Sequence, residues 1–185
     1  MRRTILFLCI SAFVTGNTQA QKVAIKTNLL YWATGTPNAA IEIGTSSHIT
    51  ANLSIGYNAL KLFGDASLRH FSVTPELRYW PCRTFERHFI GIHGSAGKFD
   101  IQNISFIPAL DKKAYNGTFY GGGVVYGYHW PLGTKLGIEA KIGAGYLYMD
   151  YNKYSCKRCY EFLAHKKLNY IGITSAGISI IYLIK

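Results

Sequence analysis

The chain has 185 residues, enough for one domain of ordinary size. Charged residues make up 16% of it, against about 25% in an ordinary soluble domain. Aromatic residues make up 15%, glycine occurs 19 times, and the formal net charge is +11. No segment after the N-terminal region offers about 18 consecutive apolar residues, which excludes a downstream membrane-spanning helix. A charge-poor chain rich in tyrosine and glycine is typical of a barrel whose strands cross a membrane.

The first twenty residues have the pattern of a secretory signal peptide. Two arginines are followed by a short apolar stretch at residues 5–14, and small residues stand at Thr18 and Ala20. We therefore expect cleavage after about Ala20, so that 1–20 is the signal and 21–185 the mature domain. Export makes anionic lipid head groups, rather than nucleic acid, the expected partner of the positive charge.

Beyond the signal, apolar and polar residues alternate with a period of two, which predicts β-strands. In the clearest case Leu136, Ile138 and Ala140 alternate with Gly137 and Glu139. The pattern predicts eight strands, at 22–34, 38–46, 48–58, 69–80, 88–99, 117–130, 135–150 and 168–184.

The predicted connections differ in length. Those at 46–47, 81–87 and 131–134 are the shorter ones, whereas those at 59–68, 100–116 and 152–167 are long. Outer-membrane barrels have short periplasmic turns and longer external loops. The sequence therefore predicts an all-β fold, an eight-stranded antiparallel up-and-down transmembrane barrel in the outer membrane with both termini in the periplasm.

The polar faces of the strands carry mostly small residues and a few charges of both signs. Small residues suit the narrow interior of an eight-stranded barrel, and charges inside it must pair. We predict a luminal ion-pair network that closes the barrel, formed by Lys26, Glu42, Glu76, Arg78, Glu139 and Lys141. A soluble periplasmic, lipocalin-like barrel that binds a lipophilic ligand is the alternative, and it requires a polar exterior around an apolar interior.

Aromatic residues predict a girdle at each membrane interface, with an aliphatic band between them. The predicted external girdle comprises Tyr31, Tyr57, Phe71, Phe99, Tyr120, Tyr146, Tyr148 and Tyr170. The predicted periplasmic girdle comprises Tyr79, Phe89, Tyr128, Trp130 and Tyr182.

One pair of residues suggests catalysis. A histidine base beside a serine hydroxyl suits acyl transfer, and His93 and Ser95 stand two apart in the fifth strand. A lipid-modifying, deacylase-like enzyme would need both side chains to face lipid. With Ile90 and Ile92 outward, both point into the lumen, and no acidic partner is evident. We therefore predict a non-enzymatic barrel that is structural or serves surface binding and assembly through its external loops, and we keep the enzyme as the alternative.

The last long loop contains two further features. Cys156 and Cys159 form a CxxC motif, for which redox exchange, half of a zinc site and a local disulfide compete. A loop disulfide or two free thiols is favoured, because only His165 is near as a further ligand, and we predict no metal or cofactor. Five basic residues could contact lipopolysaccharide phosphates or simply be solvated: Lys153, Lys157, Arg158, Lys166 and Lys167.

Several segments together resemble a known family. They include KTNLLY at 26–31, IEIG at 41–44, PELRYW at 75–80, GAGYL at 143–147 and KLNY at 167–170. The combination resembles a family of uncharacterised outer-membrane proteins of anaerobic Gram-negative bacteria, catalogued as a domain of unknown function. The resemblance implies a small outer-membrane barrel and suggests proximity to fimbrial or surface-structure genes. The expected partners are outer-membrane lipid and lipopolysaccharide, with surface-structure or fimbrial proteins as a further candidate. That family has no established catalytic residues to carry over.

Overall fold

The computed structural model describes residues 22–59, 67–102, 114–155 and 162–184. These residues form eight strands and one short helix. The elements are β1 Val23–Asn28, α1 Leu29–Ala33, β2 Asn38–Gly44, β3 Ile49–Asn58, β4 Ser67–Tyr79, β5 Arg87–Gln102, β6 Ala114–Pro131, β7 Leu136–Tyr154 and β8 Phe162–Ile184. The predicted signal, residues 1–20, lies outside the described residues.

The strands form a single closed sheet. Each pairs antiparallel with the next along the chain, and β8 pairs with β1 to close the barrel. The prediction of an all-β chain with eight antiparallel strands is therefore confirmed. We call the end with the turns at 45–48, 80–86 and 132–135 the lower end, and the opposite end the upper end. No helix among the described residues is long and apolar enough to span a membrane.

The alternation of the sequence becomes an alternation of faces. On β4, Glu76 and Arg78 are buried in the lumen, whereas Leu77 and Tyr79 are exposed on the outer wall. On β5, Ile90 and Ile92 are exposed outside, and Ile92 keeps 61% of its surface accessible. Apolar side chains thus cover the outside of the barrel.

The first strand is shorter than the sequence predicts. The strand expected at 22–34 ends at Asn28, where the side chain accepts a hydrogen bond from the Leu30 amide and caps α1. Asparagine is a favoured helix N-cap, and the leucines after it are good helix formers. The Asn28 side chain also donates to the Ala176 carbonyl at 3.2 Å and accepts from the Ile178 amide at 3.3 Å. It therefore satisfies two groups on β8 just beyond the end of β1.

Strand β8 contains a bulge that changes its phase. Gly143 pairs with Ser175 and Ala144 with Ile173, so Thr174 is the extra residue. A bulge inserts one residue without a partner, and the alternation restarts on the other face. Ile171 is therefore outside, with 83% of its surface exposed, while Tyr170, at 38%, shares the inner face with Leu147. The prediction of Tyr170 in an outer girdle is wrong.

Three other predicted girdle residues are also misplaced. Phe89 is fully buried in the lumen, and Phe99 lies on the same face of β5 as His93, in contact with the Phe119 and Tyr151 rings. Tyr31 belongs to α1, and its ring contacts His70. The phase of β5 and the early end of β1 account for these differences.

The wall of the barrel is higher on one side than on the other. β1 and β2 have 6 and 7 residues, whereas β7 and β8 have 19 and 23. β1 pairs with β8 only from Ser179 to Ile184. Among the described residues, α1 lies beside β8 above that point, where a barrel of even height would have a strand.

Candidate functional site

The lower half of the lumen is filled by six charged side chains, which we call the ion-pair plug. They come from four strands whose inner faces meet at this height. β1 contributes Lys26, β2 contributes Glu42, β4 contributes Glu76 and Arg78, and β7 contributes Glu139 and Lys141. All six have less than a tenth of their side-chain surface exposed. The structure brings together all six residues of the predicted network.

Arg78 is at the centre of the plug. Its Nη1 lies 2.8 Å from Glu42 Oε2 and 2.9 Å from Glu139 Oε2, and its Nε donates to Glu76 Oε2 at 2.8 Å. The planar guanidinium has enough donors to bind several carboxylates at once.

Two lysines complete the charge balance. Lys26 Nζ donates to Glu139 Oε2 at 2.6 Å and also pairs with Glu42, while Lys141 pairs with Glu76. Three positive charges therefore face three negative ones. Such pairing offsets the cost of removing these ions from water.

An apolar cluster packs against the plug and closes the lower end. It consists of Ala24, Trp80, Phe85, Phe89, Val125 and Ile181. Trp80 Nε1 donates to Thr50 Oγ1 at 3.0 Å, and Thr50 in turn donates to the Glu42 carboxylate. The Arg78 guanidinium stands 4.4 Å from the centre of the Phe89 ring. Hydrogen bonds and a cation–ring contact therefore connect the apolar cluster to the ion-pair plug.

The turn between β4 and β5 folds back into the lumen. Phe85 has a φ of 65°, an uncommon value for a residue other than glycine, and its ring lies 5.8 Å from the Trp80 ring. Its carbonyl accepts a hydrogen bond from His129 Nδ1. The alternation pattern predicted only a short connection at 81–87 and did not predict a buried side chain there. An isolated aromatic residue within a polar turn was the available signal.

The upper half of the lumen is open instead. Directly above the plug only about 40 Å³ of free space remains. Higher up, a cavity of about 520 Å³, which we call the upper cavity, extends from β4 across to β8. Its lining includes Leu30, Thr74, Ser95, Leu147 and Thr174.

His93 and Ser95 both point into the lumen, but they do not bond to each other. His93 Nε2 is 2.9 Å from Thr174 Oγ1, and Ser95 Oγ is 3.3 Å from Thr74 Oγ1. Neither side chain faces the outer wall. The catalytic alternative needed a lipid-facing pair, which this geometry does not provide.

The predicted last loop is largely strand. β7 continues to Tyr154 and β8 begins at Phe162, so Lys153, Lys166 and Lys167 lie on strands rather than in a loop at 152–167. Lys166 and Lys167 are exposed. Cys156, Cys159, Lys157 and Arg158 lie outside the described residues. Cys82 is a free, exposed thiol in the β4–β5 turn.

Polar groups also surround a groove at the upper end. Its volume is about 520 Å³, and its walls come from β3 to β7. Arg69, Lys98, Asp100 and Asp150 supply charges of both signs, beside the aromatic rings of Tyr57 and Phe71. Next to it, His165 Nε2 is 3.2 Å from Asp150 Oδ1. The upper end thus brings charged and aromatic side chains together around one groove.

Together these features define a class: a closed eight-stranded antiparallel barrel with an apolar outer wall, a charged plug and an open upper lumen. A family model described as "Protein of unknown function (DUF3575)" matches residues 4–184. The chain therefore belongs to this family. Searches of curated proteins and of solved structures gave no match.

Proposed function

We propose that the chain is an exported outer-membrane barrel that is closed to flow and acts without catalysis, binding surface components at its upper end. The observation that carries this proposal is the distribution of side chains, which are apolar on the outer wall and charged in the lumen. Its bacterial setting and export follow from the family resemblance and from the signal pattern at residues 1–20.

The outer wall supports a lipid environment. Large apolar side chains are exposed on every strand. Examples around the ring are Ile25, Ile41, Leu53, Leu77, Ile92, Val124, Ile142 and Ile178. Keeping such a side chain in water costs about 1.5–3 kcal/mol relative to burying it, and soluble monomers rarely expose so continuous an apolar surface. A lipocalin-like soluble barrel would need the opposite arrangement.

The lumen supports a closed barrel rather than a pore. An eight-stranded barrel is just wide enough for side chains to fill it. Here the ion-pair plug and the apolar cluster fill the lower part, and the free space above Arg78 is small. We therefore expect these layers to leave water and ions no continuous path through the barrel.

The upper end supports a binding role. Lys166 and Lys167 are exposed there, and basic side chains near a membrane surface attract anionic groups. We propose lipopolysaccharide phosphates as contacts of these lysines and of Lys153, with fimbrial or other surface proteins as further partners. The luminal positions of His93 and Ser95 favour this role over lipid hydrolysis.

A charge placed on the outer wall tests the membrane proposal. Ile92→Lys sets a charge in the apolar band, whereas Leu132→Lys sets the same charge in a lower turn, where Leu132 is already exposed. We expect Ile92→Lys to lower the unfolding free energy in lipid vesicles by about 2–4 kcal/mol and Leu132→Lys by about 0–1 kcal/mol.

Urea titration gives both unfolding free energies. The folded fraction at each urea concentration is read from gels, because a folded outer-membrane barrel migrates differently when it is not boiled. Cell fractionation should place the wild-type chain in the outer membrane. Equal tolerance of the two lysines, together with a chain recovered in the soluble periplasm, would refute the proposal.

A further inference from the structure

We propose that the upper cavity binds the hydrocarbon chain of a single-chain lipid, which enters sideways past the edge of β8. This inference rests on the proposed function, because the chain can enter from a bilayer only if the barrel is inserted in one. The lipid site goes beyond that function, because neither the ion-pair plug nor phosphate binding by the exposed lysines requires it.

The first argument is the missing stretch of wall. β1 stops pairing with β8 at the contact between Asn28 and Ser179. The Asn28 side chain then makes hydrogen bonds to the Ala176 carbonyl and the Ile178 amide, and the chain continues as α1 rather than as a strand. Above this point the wall beside β8 is made of helix side chains rather than of a hydrogen-bonded ladder.

The second argument is that the upper cavity reaches this gap in the wall. Thr174 and Ser175 point into the lumen, whereas Ile173 and Ala176 are exposed on the outer wall, yet all four line the upper cavity. Leu30 of α1, on the other side of the gap, lines the same cavity and is 42% exposed. The cavity is therefore bordered on one side by β8 and on the other by the helix that stands where the strand is missing.

The third argument is the chemistry of the lining. The lining combines the apolar side chains of Leu30, Leu68, Phe119, Leu147 and Ile173 with Tyr31, His70 and several Ser and Thr hydroxyls, and the described lining contains no Lys, Arg, Asp or Glu. A volume of about 520 Å³ falls within the range of about 300–1,000 Å³ that is usual for ligand pockets. The apolar side chains can pack against a hydrocarbon chain, and a lining without Lys or Arg offers no permanent cation to a phosphate.

Hydroxyl groups give the cavity a polar region. Thr74 and Ser95 lie 3.3 Å apart across β4 and β5, and Thr174 bonds to His93. Hydroxyls can donate to an ester or carboxyl oxygen. We therefore infer a ligand with one hydrocarbon chain and one oxygen-rich acceptor group, which is the composition of a fatty acid or a monoacyl ester.

The opening faces the membrane. Leu30 and Ile173 border it, and Ile171 and Ile173 continue the apolar surface of the outer wall above the bulge. From below, the ion-pair plug separates the cavity from the lower end. A lipid of the surrounding leaflet is thus the molecule best placed to enter.

Photo-crosslinking tests the proposal. The mature chain is refolded into phosphatidylcholine vesicles with palmitic acid that carries a diazirine at its chain end, and labelled peptides are mapped by mass spectrometry. We expect label on residues lining the upper cavity. Leu147→Trp fills the cavity and should lower that label about tenfold, which corresponds to about 1.4 kcal/mol of binding. Ile142→Trp adds the same ring to the outer face of the same strand and should leave it unchanged.

Gel migration without boiling first establishes whether each variant is folded and inserted. Leu147→Phe replaces Leu147→Trp if the larger ring prevents folding. Inserted protein whose label is spread over the outer wall and is indifferent to Leu147→Trp would overturn the lipid site alone. A wild-type chain that does not insert would overturn the proposed function, and the lateral site with it.

Discussion

Arg78 shows how a single residue can hold a barrel closed. It contacts carboxylates from β2, β4 and β7, and only 1% of its side chain is exposed. A lysine could not reproduce this geometry, because its ammonium group is a point charge on a flexible stem. Removing one member of a buried ion pair also lowers the stability more than replacing both members, because it leaves an uncompensated charge.

Removing the guanidinium should therefore be costly. Arg78→Met leaves Glu42, Glu76 and Glu139 with two lysines between them, and we expect the unfolding free energy to fall by about 3–5 kcal/mol. Arg83→Met, in the exposed β4–β5 turn, should change it by less than about 0.5 kcal/mol. Urea unfolding in detergent measures both, and a matching small loss for the two variants would contradict the central role of Arg78.

At the residue scale, the sequence was sufficient to group the six charges but not to pair them. Alternation places Lys26, Glu42, Glu76, Arg78, Glu139 and Lys141 on inner faces. Which carboxylate meets which cation depends on the stagger between strands, and periodicity carries no information about stagger. The same limit hid Phe85, whose place in the lumen depends on the path of a turn.

At the element scale, the bulge at Thr174 determines which side chains of β8 meet the outside. Below it, Ile178 is outside and Ser179 is buried. Above it, the odd-numbered residues Ile171 and Ile173 take the outer face. The extra residue allows Thr174 and Ser175 to enter the lumen together, which brings the Thr174 hydroxyl to His93.

Spin labels can report this change of phase. With the native cysteines replaced by serine, we expect a label at Ile171→Cys to collide with oxygen dissolved in the lipid more often than a label at Tyr170→Cys. The pair Ile178→Cys and Ser179→Cys, below the bulge, serves as control and should show the even-numbered residue outside. A regular strand would keep the even-numbered residue outside at both pairs, so label 170 would then be the more accessible one.

Strand existence was easier to predict than strand limits. Seven of the predicted strands differ from the structure mainly at their ends, whereas the predicted first strand includes the helix at Leu29–Ala33. Leu and Tyr in KTNLLY fit either structure, and the deciding feature is the cap made by Asn28. At the upper end, β7 and β8 run past the predicted loop boundaries, and their backbones stay paired as far as Tyr154 and Phe162.

At the scale of the whole molecule, the two ends of the barrel differ. The lower end has short turns and a filled lumen, and the upper end has long strands, a groove and a cavity. The alternation of connection lengths predicted that the short turns would lie together at one end. It could not predict the uneven wall, because that depends on how far each strand continues beyond its last apolar residue.

Cysteine labelling of intact cells tests the orientation. Ser155→Cys lies at the upper end, and Gly133→Cys lies in a lower turn where an added side chain meets nothing within 4 Å. With the native cysteines replaced, we expect a membrane-impermeant maleimide to label position 155 in intact cells and position 133 only after the outer membrane is broken. Labelling of position 133 alone in intact cells would reverse the proposed orientation.

The six residues of β1 close the ring against both β2 and β8. β1 is the first of the eight strands along the chain and β8 is the last, so the pairing that closes the ring forms only after β8 has been made. We expect the long β7–β8 hairpin to be in place before the ring closes, and β1 to be the first strand to separate when the barrel is pulled from its N-terminus. The shortest strand is then both the last to join the barrel and the first to leave it.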